Sequence, residues 1–445
     1  MTLVRTSLRT ILNEPRPDAL ERWFGDVTDP RERGEELARL DQERAARLAY
    51  LIGPPATARL VEPVDRNTAA DFLGQLPLPT LIETIGRIRT DRAAAILREM
   101  PSPLVVEVLA RLGRERSAPL RTVLAHPPTS AGAHMTPVFI ALPADTPAEE
   151  AIERVRESAA DGAVAFTLYV TGDDGELLGV VPFRALVLAP ADRPVGELMR
   201  TRVIEVTAEA DREEAARLLN AHDLAAIPVV ADGRIVGVIT ADGVADIVEE
   251  EATEDAERQG GSAPLDVPYL HASPWKLWKK RILWLLVLFA AEAYTGTVLR
   301  HFEEELESAI ALAFFIPLLI GTGGNTGTQI TTTLIRAMAT GEVALRDMGR
   351  VIRKEMGTGM LIAVAMAGAA MVRAWTLGVG PQVTLVVVLA VGAIVLWSAL
   401  VSSILPLVLR RLGIDPAVVS APFIATLVDG TGLIIYFEVA KLVLW

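Results

Sequence analysis

The feature that most constrains this chain lies in its last third, where five apolar stretches follow one another: residues 282–299, 310–320, 357–379, 383–409 and 417–444. Most are long enough to cross a hydrocarbon core of roughly 30 Å. A segment in lipid must satisfy its backbone polar groups internally, so these stretches are expected to be helices of a five-span bundle. The second stretch is short and is followed by Pro317 and a glycine-rich run. It is therefore expected to continue as a helix through residues 321–338.

Charge sets the orientation. Residues 276–445 carry 14 Lys and Arg against 11 Asp and Glu, whereas the first 275 residues carry 29 against 45, a net of −16. The basic loops are 276–281, 336–354 and 410–411, and the loop after the first span holds Glu303, Glu304, Glu305 and Glu307. Positive loops stay on the cytoplasmic side, so the large acidic N-terminal part and these loops are expected inside, and the C-terminus outside. Trp275-Lys-Leu-Trp-Lys-Lys-Arg281 marks the cytoplasmic interface of a cell membrane. The polar N-terminus shows no signal-peptide pattern. Net charge of −13 argues against a nucleic-acid partner. With no cysteine and five histidines, any metal is expected to be a hard cation held by oxygen.

Two repeats organise the first part. Thr68-Ala-Ala-Asp-Phe-Leu-Gly-Gln-Leu-Pro77 recurs as Arg92-Ala-Ala-Ala-Ile-Leu-Arg-Glu-Met-Pro101, a pattern of stacked short helices ending in proline. Asp174-Gly-Glu-Leu-Leu-Gly-Val-Val181 recurs as Asp232-Gly-Arg-Ile-Val-Gly-Val-Ile239, an Asp-Gly turn leading into a β-branched strand. The second repeat resembles tandem cystathionine-β-synthase (CBS) domains, with Val195-Gly-Glu-Leu-Met199 as the lead-in to the second copy. CBS pairs commonly sense adenine nucleotides through Thr or Ser followed three residues later by Asp. Here Gly243 stands three residues after Thr240, Asp242 comes one residue early, and Pro182 replaces the threonine of the first copy. ATP binding at the pair is therefore not expected.

Three features carry candidate chemistry. Asp429 sits in the middle of the last span, where an ionised carboxylate costs several kcal/mol unless it faces protein, water or an ion. It either lines an ion path or pairs with a buried base. The run Gly321-Thr-Gly-Gly-Asn-Thr-Gly-Thr-Gln329 offers amides, hydroxyls and close backbone approach, or else a glycine surface for helix packing. The run from Asp242 to Glu257 reads as a helix on which Asp246, Glu250 and Glu254 share one face, and Glu251 and Asp255 another. Like charges at that spacing repel, so the run is either a solvated linker or a cation-binding surface.

Phe315-Ile-Pro-Leu-Leu-Ile-Gly-Thr-Gly-Gly-Asn-Thr-Gly-Thr-Gln329, Arg410-Arg-Leu-Gly-Ile-Asp-Pro416 and Thr426-Leu-Val-Asp-Gly-Thr-Gly-Leu-Ile-Ile-Tyr436 together resemble the MgtE magnesium channel family, and the likeness covers nearly the whole chain. The resemblance implies an all-α superhelical domain (1–130), an α/β tandem CBS pair (131–192 and 193–250), an acidic plug helix (251–275) and a five-helix pore domain (276–445). It further implies a homodimer in the lipid bilayer with the pore on its two-fold axis. Asp429, Asn325, Ala425 and Gly324 fall at the pore, and Asp91, Asp246, Glu251, Glu254, Asp255 and Asp415 at regulatory Mg²⁺ sites. Gly243 stands where the family often has an aspartate, and the first domain is poor in aspartate, which implies fewer or weaker regulatory ions. The function implied is Mg²⁺ uptake through a channel that cytoplasmic Mg²⁺ closes. The alternatives are a channel or carrier for another hard divalent ion such as Mn²⁺ or Co²⁺, and a membrane-anchored CBS sensor. No nucleophile–base pair or phosphate-binding loop suggests an enzyme.

Overall fold

The computed structural model describes residues 7–13, 19–159, 164–265, 267, 269–418 and 420–445. The chain divides into two compact units, Met1–Glu249 and Glu250–Trp445.

The first unit opens with an all-α superhelical region of short helices. Arg66–Gly74 and Thr90–Arg98 are the repeated ones, and Ala69, Ala70, Phe72 and Leu73 in the first correspond, 24 residues on, to Ala93, Ala94, Ile96 and Leu97 in the second. All eight are buried, because both copies turn the same apolar face inward. Each copy runs through a buried Leu76 or Met100 to Pro77 or Pro101, which ends one helix and starts the next, Leu78–Ile85 or Ser102–Arg111. Carboxylate caps start several helices: Asp29 accepts from the Arg31 amide at 2.8 Å, Asp41 from Arg44 at 2.9 Å and Asp65 from Thr68 at 3.0 Å.

The CBS pair follows as two three-stranded sheets. In the first, β1 (Phe139–Pro143) is parallel to β2 (Val164–Thr171), which pairs antiparallel with β3 (Leu177–Pro182). In the second, β4 (Val206–Thr207), β5 (Ala226–Ala231) and β6 (Arg234–Thr240) repeat that order. The β5–β6 turn is Asp232-Gly233, both with positive φ, the conformation that a two-residue hairpin needs. The two copies interlock through their lead-in segments. A methyl group at Gly237 in β6 would lie 2.5 Å from the Met135 sulfur, and one at Gly179 in β3 would lie 2.8 Å from that of Met199. The methionine before the first copy thus packs on the second copy, and the methionine before the second copy packs on the first.

The acidic run lies on one helix, Ala241–Gln259. Five helices of the second unit are long and apolar enough to cross a membrane: Pro274–His301, Ile310–Ala339, Leu345–Leu377, Pro381–Arg411 and Ala421–Leu444. In the second span Pro317 occupies the first turn of the helix Ile316–Ala339, where its missing N–H costs nothing, and the glycine-rich run is continuous helix. One face of that run, Gly323 and Gly327, packs closely on neighbouring helices, while Gly321, Asn325 and Gln329 on another face are exposed.

The interlock generates a prediction. Gly237→Ala must displace Met135 and is expected to destabilise the protein by about 1–3 kcal/mol, whereas Gly74→Ala, with no neighbouring atom within 4 Å, should be neutral or slightly stabilising. Thermal melting of the two variants in detergent checks this, and equal melting points would rule out the interlock as a source of stability.

Candidate ion path and cytosolic carboxylate clusters

The geometry around Asp429 is set by how closely three helices approach. Gly323 faces Ile394 and Val428, each only 2.7 Å from where a methyl group would stand. One turn on, Gly327 faces Ile424 at 2.6 Å and the hydroxyls of Ser398 and Ser402 at 2.8 Å. The Ser398 hydroxyl donates to the Gly323 carbonyl at 2.7 Å, sealing the contact between the second and fourth spans. No larger residue fits at either glycine without moving a helix.

Gly324 turns toward the fifth span. A methyl group there would sit 3.3 Å from the Ala425 Cβ and 3.7 Å from Asp429 Oδ1. Gly324, Ala425 and Asp429 thus meet at one level between the second and fifth spans. Asn325 and Gln329, four residues apart, stand with Gly321 on an exposed stripe of the second span beside this contact. Among the described residues Asp429 has neither an ion pair nor a hydrogen bond.

Near the membrane, a second cluster joins the end of the acidic helix to the loop before the last span. Arg258 pairs with Glu254 at 3.2 Å and with Asp415. Asp415 is anchored by accepting from the Ala417 amide at 2.8 Å. Burial, together with the charges of Asp415 and Glu251, pushes the Asp255 carboxyl up to about 6, with Arg258 and Arg336 opposing. Glu251, Glu254, Asp255 and Asp415 are therefore within one another's field or share Arg258.

The first unit holds a third cluster. Arg89 binds Asp91 and Asp242, both at 2.7 Å, with Glu62 at 4.0 Å. Burial alone would raise the Asp242 carboxyl, but a hydrogen bond with Thr240 and the Arg89 guanidinium hold it below the usual range. Arg92 beside it is lowered by burial, against the pull of Asp246, Asp65, Asp91 and Glu62. Asp91 and Asp246 thus both face Arg92. Among the described residues no group of three or more His, Asp or Glu side chains is close enough to hold one ion. Arg89 and Arg258 were not singled out in the sequence. The only signal for Arg258 was its place four residues after Glu254.

A carboxylate between glycine-faced spans with no ion pair among the described residues, in a chain that also carries a helical domain and a CBS pair, points to the class of membrane transport proteins with a cytosolic region. The family model described as "Divalent cation transporter" matches residues 316–439, the CBS domain model matches 131–192 and 195–250, and the MgtE intracellular N domain model matches 28–129. The chain is 42% identical over 315 residues to the magnesium transporter MgtE of Thermus thermophilus, covering 71% of this chain and 70% of that one. It is 33% identical to the magnesium transporter MgtE of Bacillus subtilis, covering 72% and 71%. The chain belongs to the MgtE family. Among solved structures, the cytosolic domain of the Mg²⁺ channel MgtE in complex with ATP superimposes with a TM-score of 0.50 at 27% identity, covering 55% of this chain and all of that one.

Proposed function

We propose that this chain is a homodimeric Mg²⁺ channel of the cell membrane, with its N-terminal domains in the cytoplasm, its C-terminus outside, and a pore that cytoplasmic Mg²⁺ closes. The observation that carries the reading is Asp429, which stands with Ala425 against Gly324 and has no ion pair among the described residues. Relatives named magnesium transporters support the choice of ion.

Mg²⁺ sheds water reluctantly, so two Asp429 carboxylates across a two-fold axis would hold the ion through its hydration shell. A monovalent ion would gain about half the Coulomb energy at the same contact. Asn325, on the open stripe, has an amide oxygen able to accept from the ion's waters. The oxygen-only donor set disfavours softer metals but accommodates Mn²⁺, which is the second reading. An anchored sensor has no use for a mid-membrane carboxylate.

Closure rests on the cytosolic carboxylates. Glu251, Glu254, Asp255 and Asp415, with Asp91 and Asp246, have the hard oxygen donors that Mg²⁺ takes. An ion shifts the equilibrium only as far as it prefers one arrangement of them. In this chain Arg258 already ties Glu254 to Asp415, so the acidic helix is partly held without any ion. The relative's ATP complex shows that its domain accepts a nucleotide. Here Asp242 is committed to Arg89 and Thr240, from which we infer weak ATP binding.

Three outcomes follow. Asp429→Ala in proteoliposomes is expected to lose Mg²⁺ uptake by at least about tenfold, and unchanged uptake would place the path elsewhere. Arg258→Gln is expected to raise uptake at micromolar cytoplasmic Mg²⁺ about threefold, in line with one partly exposed ion pair, while millimolar Mg²⁺ still closes the pore. It should also expose residues 250–265 to protease in the absence of Mg²⁺, and an unchanged digestion pattern would count against the tether. Arg89→Gln is expected to tighten ATP binding, measured by calorimetry. Weaker or equal binding would mean that Asp242 is not the limiting group.

A further inference from the structure

Asp429 is not the only carboxylate at its depth. Glu292 lies in the first span, 11 residues beyond Arg281 at the basic interface. At 1.5 Å per residue that is roughly 16 Å, half the thickness of a hydrocarbon core. An ionisable side chain there is costly to keep, and among the described residues Glu292, like Asp429, has no basic partner.

Three contacts fix the first span against the fifth. The Trp284 indole N–H donates to the Ser420 hydroxyl at 3.1 Å near the inner end. In the middle, Gly430 faces the Tyr294 ring, 2.6 Å from a built methyl group, and the Thr295 hydroxyl at 3.3 Å. Near the outer end the rings of Phe302 and Phe437 stack at 4.9 Å. The residue offsets are 136, 135 or 136, and 135, so the two helices run parallel without slippage along their whole contact. By this register Glu292 stands level with residues 427 and 428, within one turn of Asp429. It flanks the stripe of the first span that turns toward the fifth, three residues before Thr295, which is 6% exposed. The Thr295 hydroxyl is buried without a partner, a polar atom left over at this same level.

Two carboxylates at one depth repel each other, and among the described residues neither has a basic partner. A divalent ion neutralises both at once, while a monovalent ion leaves one charge bare. We propose that Glu292 is a second carboxylate of the ion path, accepting from the water shell of the same hydrated divalent cation that Asp429 attracts. The inference rests on the channel reading above and adds a residue from the first span to a site otherwise built by the second and fifth. A carboxylate merely exposed to lipid would gain nothing from ionisation and would not be coupled to Asp429.

The test is Mg²⁺ uptake by the full-length protein in proteoliposomes, with outer Mg²⁺ varied, for wild type, Glu292→Gln, Glu292→Asp, Asp429→Asn and the double variant Glu292→Gln/Asp429→Asn. Glu292→Gln is expected to raise half-saturating Mg²⁺ about tenfold, the scale of one charge-assisted contact, while Glu292→Asp stays within about threefold of wild type. In the double variant the loss should fall short of the product of the two single losses, because the residues share one ion. Half-saturation unchanged in Glu292→Gln, or losses that simply multiply, would overturn the proposal while leaving Asp429 in place. Uptake that survives Asp429→Asn at full rate would instead place the path away from Asp429, and so remove the reading on which this inference rests. Melting temperatures of the variants in detergent separate misfolding from lost ion contact. If Glu292→Gln melts well below wild type, the outcome is read from Glu292→Asp, whose carboxylate stands one methylene farther from the ion: half-saturating Mg²⁺ raised by up to about threefold supports the proposal, and an unchanged value overturns it.

Discussion

A charge held in the middle of a bilayer is affordable only where the protein supplies something polar to face it, and the membrane unit is organised around that demand. Asp429 is presented between spans because Gly323 and Gly327 let the second helix sink against Ile394, Ile424 and Val428, to a depth that a methyl group would block. The same sinking brings Gly324 to Ala425 and leaves Asn325 and Gln329 on the open side. The apolar driving force cannot hold helices together in lipid, so close van der Waals fit and the Ser398–Gly323 hydrogen bond take that role.

The cytosolic clusters obey the same electrostatics in a wetter setting. Acids spaced four apart on one helix destabilise it unless something positive intervenes. In this chain Arg258 intervenes at Glu254 and Asp415, and Arg89 at Asp91 and Asp242. Partly exposed pairs of this kind hold loosely.

Much of this was legible in the residues. Four of the spans follow from apolar length and the second from continuing a short apolar stretch through the glycine-rich run, the 24-residue helical repeat from the spacing of Ala69 and Ala93, and the β5–β6 turn from Asp232-Gly233. Asp429 is conspicuous because an acid in the middle of an apolar run has few explanations. Other features were not readable. Which face of the run from Gly321 to Gln329 packs depended on what lay opposite, and a sequence does not say that Ile394 and Val428 lie against Gly323. Glu292 escaped notice because its weight comes from the register between the first and fifth spans, set by contacts some 135 residues apart in the chain. Arg89 and Asp242 meet across a separation of 153 residues, beyond any local pattern.

The exchange of methionines between the CBS copies has a consequence for how the protein is made. Met135 has no glycine to rest on until Gly237 has been synthesised, and Gly179 stays uncapped until Met199 arrives. Neither copy is complete alone, so the pair is expected to fold as one cooperative event late in its own translation. The apolar part of the first span begins only 45 residues after Gly237, at Ile282. Folding of the pair in the cytosol and entry of the first helix into the membrane therefore fall close together in time, and a delay in one exposes the other.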